Sequence, residues 1–233
     1  MKNNNPLISV IMSVYNNSNT LSESIESIVT QDYNNLEFLI MDDGSNDDSL
    51  NILRTFEESD TRIKVFVNKR NLGLTKSLNI LISEAKGEII ARQDADDISY
   101  KQRLSKQFSF MLKKNLDLVT ARANRVNSNK KIPNISFYIP KKIVIKYKNP
   151  FIHGTLFIKK TILKSVGNYD EDFYYAQDYK LMSDLIKNNY KIGFIKEPLY
   201  LLNQEDNISK LYKKEQAYYA NCVRNNKLPD LSY

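Results

Sequence analysis

The chain has 233 residues, 42% hydrophobic and 26% charged, which suffices for one large domain with a substantial core or for one domain plus a tail. Its single cysteine, Cys222, excludes an internal disulfide and suits a reducing cytosol; no apolar run reaches the roughly 20 residues of a membrane-spanning helix, and the polar start through Pro6 lacks the apolar centre of a signal peptide. A net charge of +7 fits either a lysine-rich solvated surface or attraction to anionic partners.

Strand and helix signals alternate through the first hundred residues. Residues 7–15 form an apolar, β-branched run that predicts a strand. A polar turn follows, and Leu21, Ile25 and Ile28 then recur at helical spacing. Residues 36–41 predict a second buried strand, closed by Asp42-Asp43-Gly44-Ser45. A helix with Leu50, Leu53 and Phe56 comes next. Ile63, Val65 and Val67 alternate as a third strand, Leu74, Leu78, Leu81 and Ile82 mark a third helix, and residues 87–91 make a fourth strand. This βαβαβαβ order predicts a mostly parallel sheet covered by helices.

The second half is less regular. Residues 100–114 read as a helix and 118–123 as a strand. Residues 124–148 are polar and lysine-rich, which predicts a long excursion or lid. Residues 155–158 read as a strand and 178–188 as a helix. Short strands at 192–195 and 199–202 flank Pro198, and a basic helix begins near Ile208. Lysines 141, 142, 146, 148, 159, 160 and 164 cluster mid-chain. Lys210, Lys213, Lys214, Arg224 and Lys227 lie near the end among Tyr212, Tyr218 and Tyr219. Such mixtures suit a membrane interface or single-stranded nucleic acid, and composition does not choose between them.

Four polar clusters fall at predicted strand or helix ends. Ser13, Tyr15 and Asn16 follow the first strand, where they either close it or face a ligand. Asp42 and Asp43 follow the second; one acidic residue is enough to cap a helix, so a pair points to a ligand such as a ribose hydroxyl or a base N–H. Asp94, Asp96 and Asp97 crowd the end of the fourth strand. Crowded carboxylates repel, and hard oxygens in that number suit Mg2+ or Mn2+ bound together with substrate phosphates. Arg92 is either a phosphate contact or a partner of these aspartates. Tyr174-Tyr175-Ala176-Gln177-Asp178 stands at a helix start, where Asp178 is either a cap or a general base. His153 is the sole histidine.

In this order the motifs resemble family 2 glycosyltransferases. The matching stretches are Ile8–Asn16, Met41–Ser45, Asn71-Leu72-Gly73-Leu74, Ala91–Asp97, His153-Gly154-Thr155 and Ala176-Gln177-Asp178. The resemblance implies a GT-A fold: a Rossmann-like, mostly parallel central sheet flanked by helices, with an irregular acceptor-side second half. It divides the chain into a glycosyltransferase domain, 1–205, and a basic, tyrosine-bearing tail, 206–233. Residues 1–99 would hold the nucleotide-sugar and 100–205 the acceptor.

The resemblance further implies roles. Ser13, Tyr15, Asp42, Asp43, Asn71, Arg92 and Asp94 would hold a UDP-sugar, Asp96 a Mn2+ or Mg2+ ion, and Asp178 would be the base of an inverting transfer. His153 and Gln177 would lie near the acceptor or diphosphate, although Gln177 stands where many relatives have Glu. The implied acceptor is a saccharide, lipid-diphosphate-linked, in capsule, O-antigen or lipooligosaccharide synthesis. The implied setting is the cytoplasm or the inner face of the membrane, with the tail on anionic lipid and no nucleic-acid partner. Two other readings are a sugar nucleotidyltransferase and a noncatalytic nucleic-acid-binding protein. The first lacks a glycine- and basic-rich phosphate loop at residues 14–19, and the second leaves the acidic loop without a purpose.

Overall fold

Strand β1 (Ile8–Val14) is apolar at nearly every position because it runs through the middle of the sheet. In this computed structural model, which describes residues 5–203 and 212–230, β2 (Leu36–Asp42) flanks it on one side and β4 (Ile89–Arg92) on the other. All three run parallel, and β3 (Ile63–Val67) extends the sheet beyond β2. Beyond β4 the direction reverses. β8 (Phe157–Lys159) pairs antiparallel with β4, and β6 (Leu118–Arg125) pairs antiparallel with β8. Next come β9 (Ile192–Leu202) and the short β5 (Ile98–Ser99), giving the order β3-β2-β1-β4-β8-β6-β9-β5. The fold is the mixed α/β GT-A architecture.

Alternation along the central strands feeds two cores. Val10 and Met12 point to the face covered by α1 (Ser18–Val29), α2 (Ser49–Ser59) and α4 (Arg103–Lys114). There Leu21, Ile25 and Ile28 of α1 are fully buried, each contributing about 1.5–3 kcal/mol of hydrophobic stabilisation. Ile11 points to the opposite face, under α3 (Leu74–Glu84), α6 (Lys160–Ser165), α7 (Gln177–Lys187) and α8 (Lys213–Asn225). Tyr219, Cys222 and Val223 of α8 lie in this second core.

Three expectations change. The excursion expected at 124–148 is partly sheet: β6 continues to Arg125, and β7 (Ser128–Ile132) folds back on it. A single helical turn, α5 (Lys141–Val144), follows. Lysines at 130 and 131 hide this hairpin, because an edge strand tolerates charge and needs few apolar residues. The two short strands around Pro198 are one element, β9. Register shifts on either side of Arg122 let Lys196 and Glu197 bulge out and put Pro198 opposite Arg122 at the bulge, where a strand accommodates proline. Helix α4 starts at Arg103 rather than at residue 100, since Ile98 and Ser99 pair with Leu201 and Tyr200. The start of the expected C-terminal helix, residues 208–211, lies outside the described residues.

Candidate active site

The chain runs outward from β1 to β2 and β3, then crosses to β4 on the far side of β1. That reversal opens a crevice at the carboxyl ends of β1 and β4, the usual ligand position in an open α/β sheet. Every polar cluster of the first hundred residues lies on this edge.

On the β1–β2 side the polar groups also tie loops together. Ser13 is half-buried within β1, and Tyr15 beyond it is exposed. Asn16 adopts φ 50° and accepts a 2.7 Å bond from the Asn46 N–H, while its own N–H donates to Ser45 Oγ at 3.0 Å. Asp42 is buried, and its Oδ2 accepts from the Ser45 N–H at 3.3 Å. Asp43 accepts from Asn68 Nδ2 at 2.7 Å and from the N–H groups of Leu72 and Gly73, both at 2.9 Å. Asn71 Oδ1 takes the same Gly73 N–H at 2.9 Å. Gly44 permits this loop contact: its φ is +74°, and a Cβ there would stand 2.7 Å from the Arg70 carbonyl carbon. The Tyr174 ring lies over Gly73, within the field of Asp43, Tyr15 and Tyr212. Tyr15 and Tyr174 thus leave aromatic surface at the crevice mouth.

The acidic loop after β4 is held from beneath. Gln93 is fully buried, donates to the Asp97 carbonyl at 2.8 Å and accepts from Ser99 Oγ at 2.6 Å. Ser24 Oγ donates to the Asp94 carbonyl at 2.8 Å. Arg92, only 2% exposed, pairs through Nη2 with Asp94 Oδ1 at 2.6 Å. Asp97 is turned inward, where Oδ1 accepts from the Asn203 N–H at 2.7 Å. Burial, with the charges of Asp94 and Asp96, pushes the Asp97 carboxyl well above its usual range. Asp96 is half-buried; burial and the Asp94 charge raise it to about 6.

Among the described residues no three His, Cys, Asp or Glu side chains converge on a point. Asp96 is a hard carboxylate beside the Arg92–Asp94 pair. A carboxylate held against its own ionisation fits Mn2+ or Mg2+ whose other oxygens come from a diphosphate.

The third side of the crevice comes from the second half. The His153–Thr155 turn precedes β8, and His153 Nε2 shares a 2.7 Å hydrogen bond with the Tyr169 hydroxyl. Burial and the nearby Arg92 charge lower the His153 pKa, so the ring is neutral at pH 7. The charges of Asp94 and Asp178 act on the ring in the opposite sense, and both also act on the Tyr169 hydroxyl. Asp178, at the start of α7, accepts from Asn149 Nδ2 at 2.7 Å through Oδ2. Ala176 precedes it at φ 54°, a left-handed turn that a non-glycine residue rarely takes. Gln177 is buried. A narrow recess beside Asp178 is lined by Thr120, Asn149, Phe151, His153 and Met182.

The profile of glycosyl transferase family 2 matches residues 9–167. The chain belongs to that family. It is 34% identical over 225 residues to the uncharacterized glycosyltransferase MJ1057 of Methanocaldococcus jannaschii, covering 91% of this chain and 77% of the relative. It is 33% identical over 215 residues to the Escherichia coli UDP-Glc:alpha-D-GlcNAc-diphosphoundecaprenol beta-1,3-glucosyltransferase WfgD, covering 89% and 82%. Among solved structures, S. aureus TarS in complex with UDP-GlcNAc superposes with TM-score 0.74 at 22% identity, over 86% of this chain and 59% of that one. The Pyrobaculum calidifontis mannosyltransferase PcManGT, in complex with GDP-Man and Mn2+, gives 0.72 at 20%, over 96% and 66%. At such identities these two likenesses are of fold. This chain spans about three-fifths of the TarS structure's length.

Within this family 2 chain, sequence reasoning missed several contributors. Arg103, fully buried, donates from Nη1 to the carbonyls of Arg92 at 2.8 Å and Gly154 at 2.7 Å, tying the acidic loop to the histidine turn. Burial lowers its pKa to about 10. The Tyr200 hydroxyl accepts the Asp94 N–H at 3.0 Å, and burial followed by the Asp97 charge raises its pKa. Asn149 and Tyr169 complete the set. None carries a sequence signal, being ordinary residue types far from the motifs they serve.

Proposed function

We propose that this glycosyltransferase is an inverting enzyme that moves a single hexose from a UDP-sugar to a hydroxyl of a saccharide carried on a lipid diphosphate, in bacterial surface-polysaccharide synthesis. One observation carries the reading: the carboxylate of Asp178, at the start of α7, is oriented by Asn149, and His153 feels the charges of both Asp178 and the Arg92-paired Asp94. Asp178 removes the acceptor hydroxyl proton as that oxygen attacks the anomeric carbon, and UDP departs from the opposite face. One base and no protein nucleophile inverts configuration.

Tyr15 and Tyr174 give the base a stacking surface, and Ser13, Asp42, Asp43 and Asn71 shape the uridine end. Asp94, fixed by Arg92, meets the ribose or sugar. Asp96 holds a Mn2+ or Mg2+ ion, whose chemistry when bound is to neutralise the diphosphate charge. Neutral His153, bonded to Tyr169, offers a hydrogen bond near the diphosphate without adding charge, and Gln177 lines the acceptor side. WfgD, by its name, uses UDP-Glc and a diphosphoundecaprenol-linked sugar, which supports this donor and acceptor class.

The test is a screen of UDP-sugars for released UDP with Mn2+ or Mg2+. One sugar should be hydrolysed slowly without acceptor, and faster once a saccharide linked to a lipid diphosphate is added. Absence of UDP-sugar binding by calorimetry with either metal would end this reading.

A further inference from the structure

Charge is segregated along this chain. Between Asp117 and Asp170 there are eleven Lys and Arg residues and no Asp or Glu, so this stretch exceeds the net charge of +7 carried by the whole chain. Within it, residues 135–147 expose apolar side chains to an unusual degree: Ile135 is 74% exposed, Tyr138 66%, Ile143 51% and Tyr147 71%. Lys146 and Lys148 are exposed among them.

The segment is anchored rather than loosely attached. Val144 and Ile145 are buried, and the Tyr179 hydroxyl donates to the Ile145 carbonyl at 2.5 Å. Lys141 turns inward, donating to the carbonyls of Ser136 at 3.0 Å and Phe137 at 2.6 Å. The outward side chains are thus held outward by the packing of their neighbours. The segment ends at Asn149, which orients Asp178, so this face borders the acceptor side of the crevice.

We propose that the face formed by Ile135, Tyr138, Ile143, Tyr147, Lys146 and Lys148 rests on an anionic phospholipid surface. The isoleucines and tyrosines enter the headgroup boundary while the lysines meet lipid phosphates. Isoleucine knobs favour lipid over nucleic acid, since an aliphatic side chain stacks on no base. Helix α8, the other basic segment, directs Tyr219, Cys222 and Val223 into the core. The benefit to catalysis, delivery of a lipid-linked acceptor to Asp178, rests on the function proposed above; the contact itself does not.

The test is co-sedimentation of the full chain with vesicles of phosphatidylglycerol and phosphatidylcholine in equal parts, against phosphatidylcholine alone. Wild type should bind only the acidic vesicles, and less as salt rises. Lys146→Glu with Lys148→Glu should weaken binding at least tenfold, since each surface lysine is worth about fivefold. Ile143→Asp with Tyr147→Asp should do the same, whereas Lys213→Glu with Lys214→Glu on α8 should not. Equal sedimentation of the two face variants and wild type overturns the proposal, as does wild type binding single-stranded oligonucleotide but no vesicle. UDP-sugar hydrolysis on the same preparations separates the two ideas. Intact hydrolysis without vesicle binding rejects the surface alone, and vesicle binding without hydrolysis rejects the function alone.

Discussion

Asn149 Nδ2 donates a 2.7 Å hydrogen bond to Asp178 Oδ2 across 29 residues of chain. The bond joins the end of the basic segment to the start of α7. It leaves Asp178 half-buried, with its Oδ1 taken by the next backbone N–H at 2.7 Å.

Asp178→Asn should keep UDP-sugar affinity and lose transfer by about 10²–10⁴-fold, the usual worth of a general base. Asn149→Ala should cost less, about tenfold in kcat with KM for the donor unchanged, because it frees the carboxylate without removing it. Steady-state kinetics with calorimetric UDP affinity reads both. Wild-type turnover in Asp178→Asn would remove this residue from the mechanism.

Asp96 makes metal-free stability depend on pH. Its folded pKa of about 6 lies above the unfolded value, so the folded state holds the proton more tightly. Stability therefore falls as pH rises from about 4 to about 6 and stays lowered above that. Asp96→Asn should be more stable than wild type at pH 7.5, by about 1–3 kcal/mol, and no more stable at pH 4. Denaturant titrations in chelator decide this. The same variant should lose metal-dependent UDP binding.

His153 works in the opposite direction. Its folded pKa is lowered, so the unfolded chain takes up a proton that the folded ring refuses as pH drops below about 6.5. His153→Gln should flatten the fall in melting temperature between pH 6.5 and 5. An unchanged slope would mean that the ring is protonated in the fold.

Gly154→Ala tests close packing under the acidic loop. The new Cβ would stand 2.7 Å from Asp94 Oδ2, with the Tyr200 hydroxyl closer still. Overpacking of this kind costs about 1–3 kcal/mol, and here it must also displace Asp94. The expected result is a lower melting temperature and a raised KM for the UDP-sugar, with kcat less affected. A wild-type KM would show that Asp94 does not meet the donor.

The strand at Ile63–Val67 and the helix from Leu74 were legible residue by residue, because their periodicity is local and lies next to a core. So was the crevice edge at Asp94–Asp97, where carboxylates crowd after an apolar run and no local reason explains them. The hairpin made by β7 and the continuity of β9 past Pro198 were not legible. Edge strands and bulges are specified by a partner strand, and that partner lies tens of residues away.

By itself the sequence determined the parallel half-sheet, the family and the chemistry on offer, since all three are written in short-range pattern. Only the tertiary structure decided which groups stay available. Asp97 is turned under Asn203, Asp43 is committed to the Asn68–Gly73 loop, and Asp96 is left half-buried. It likewise decided that the α8 tyrosine at 219 packs inward while Tyr147 stays in solvent. The reason is that burial and hydrogen-bond partners depend on which distant segments meet, and side-chain identity alone does not encode that.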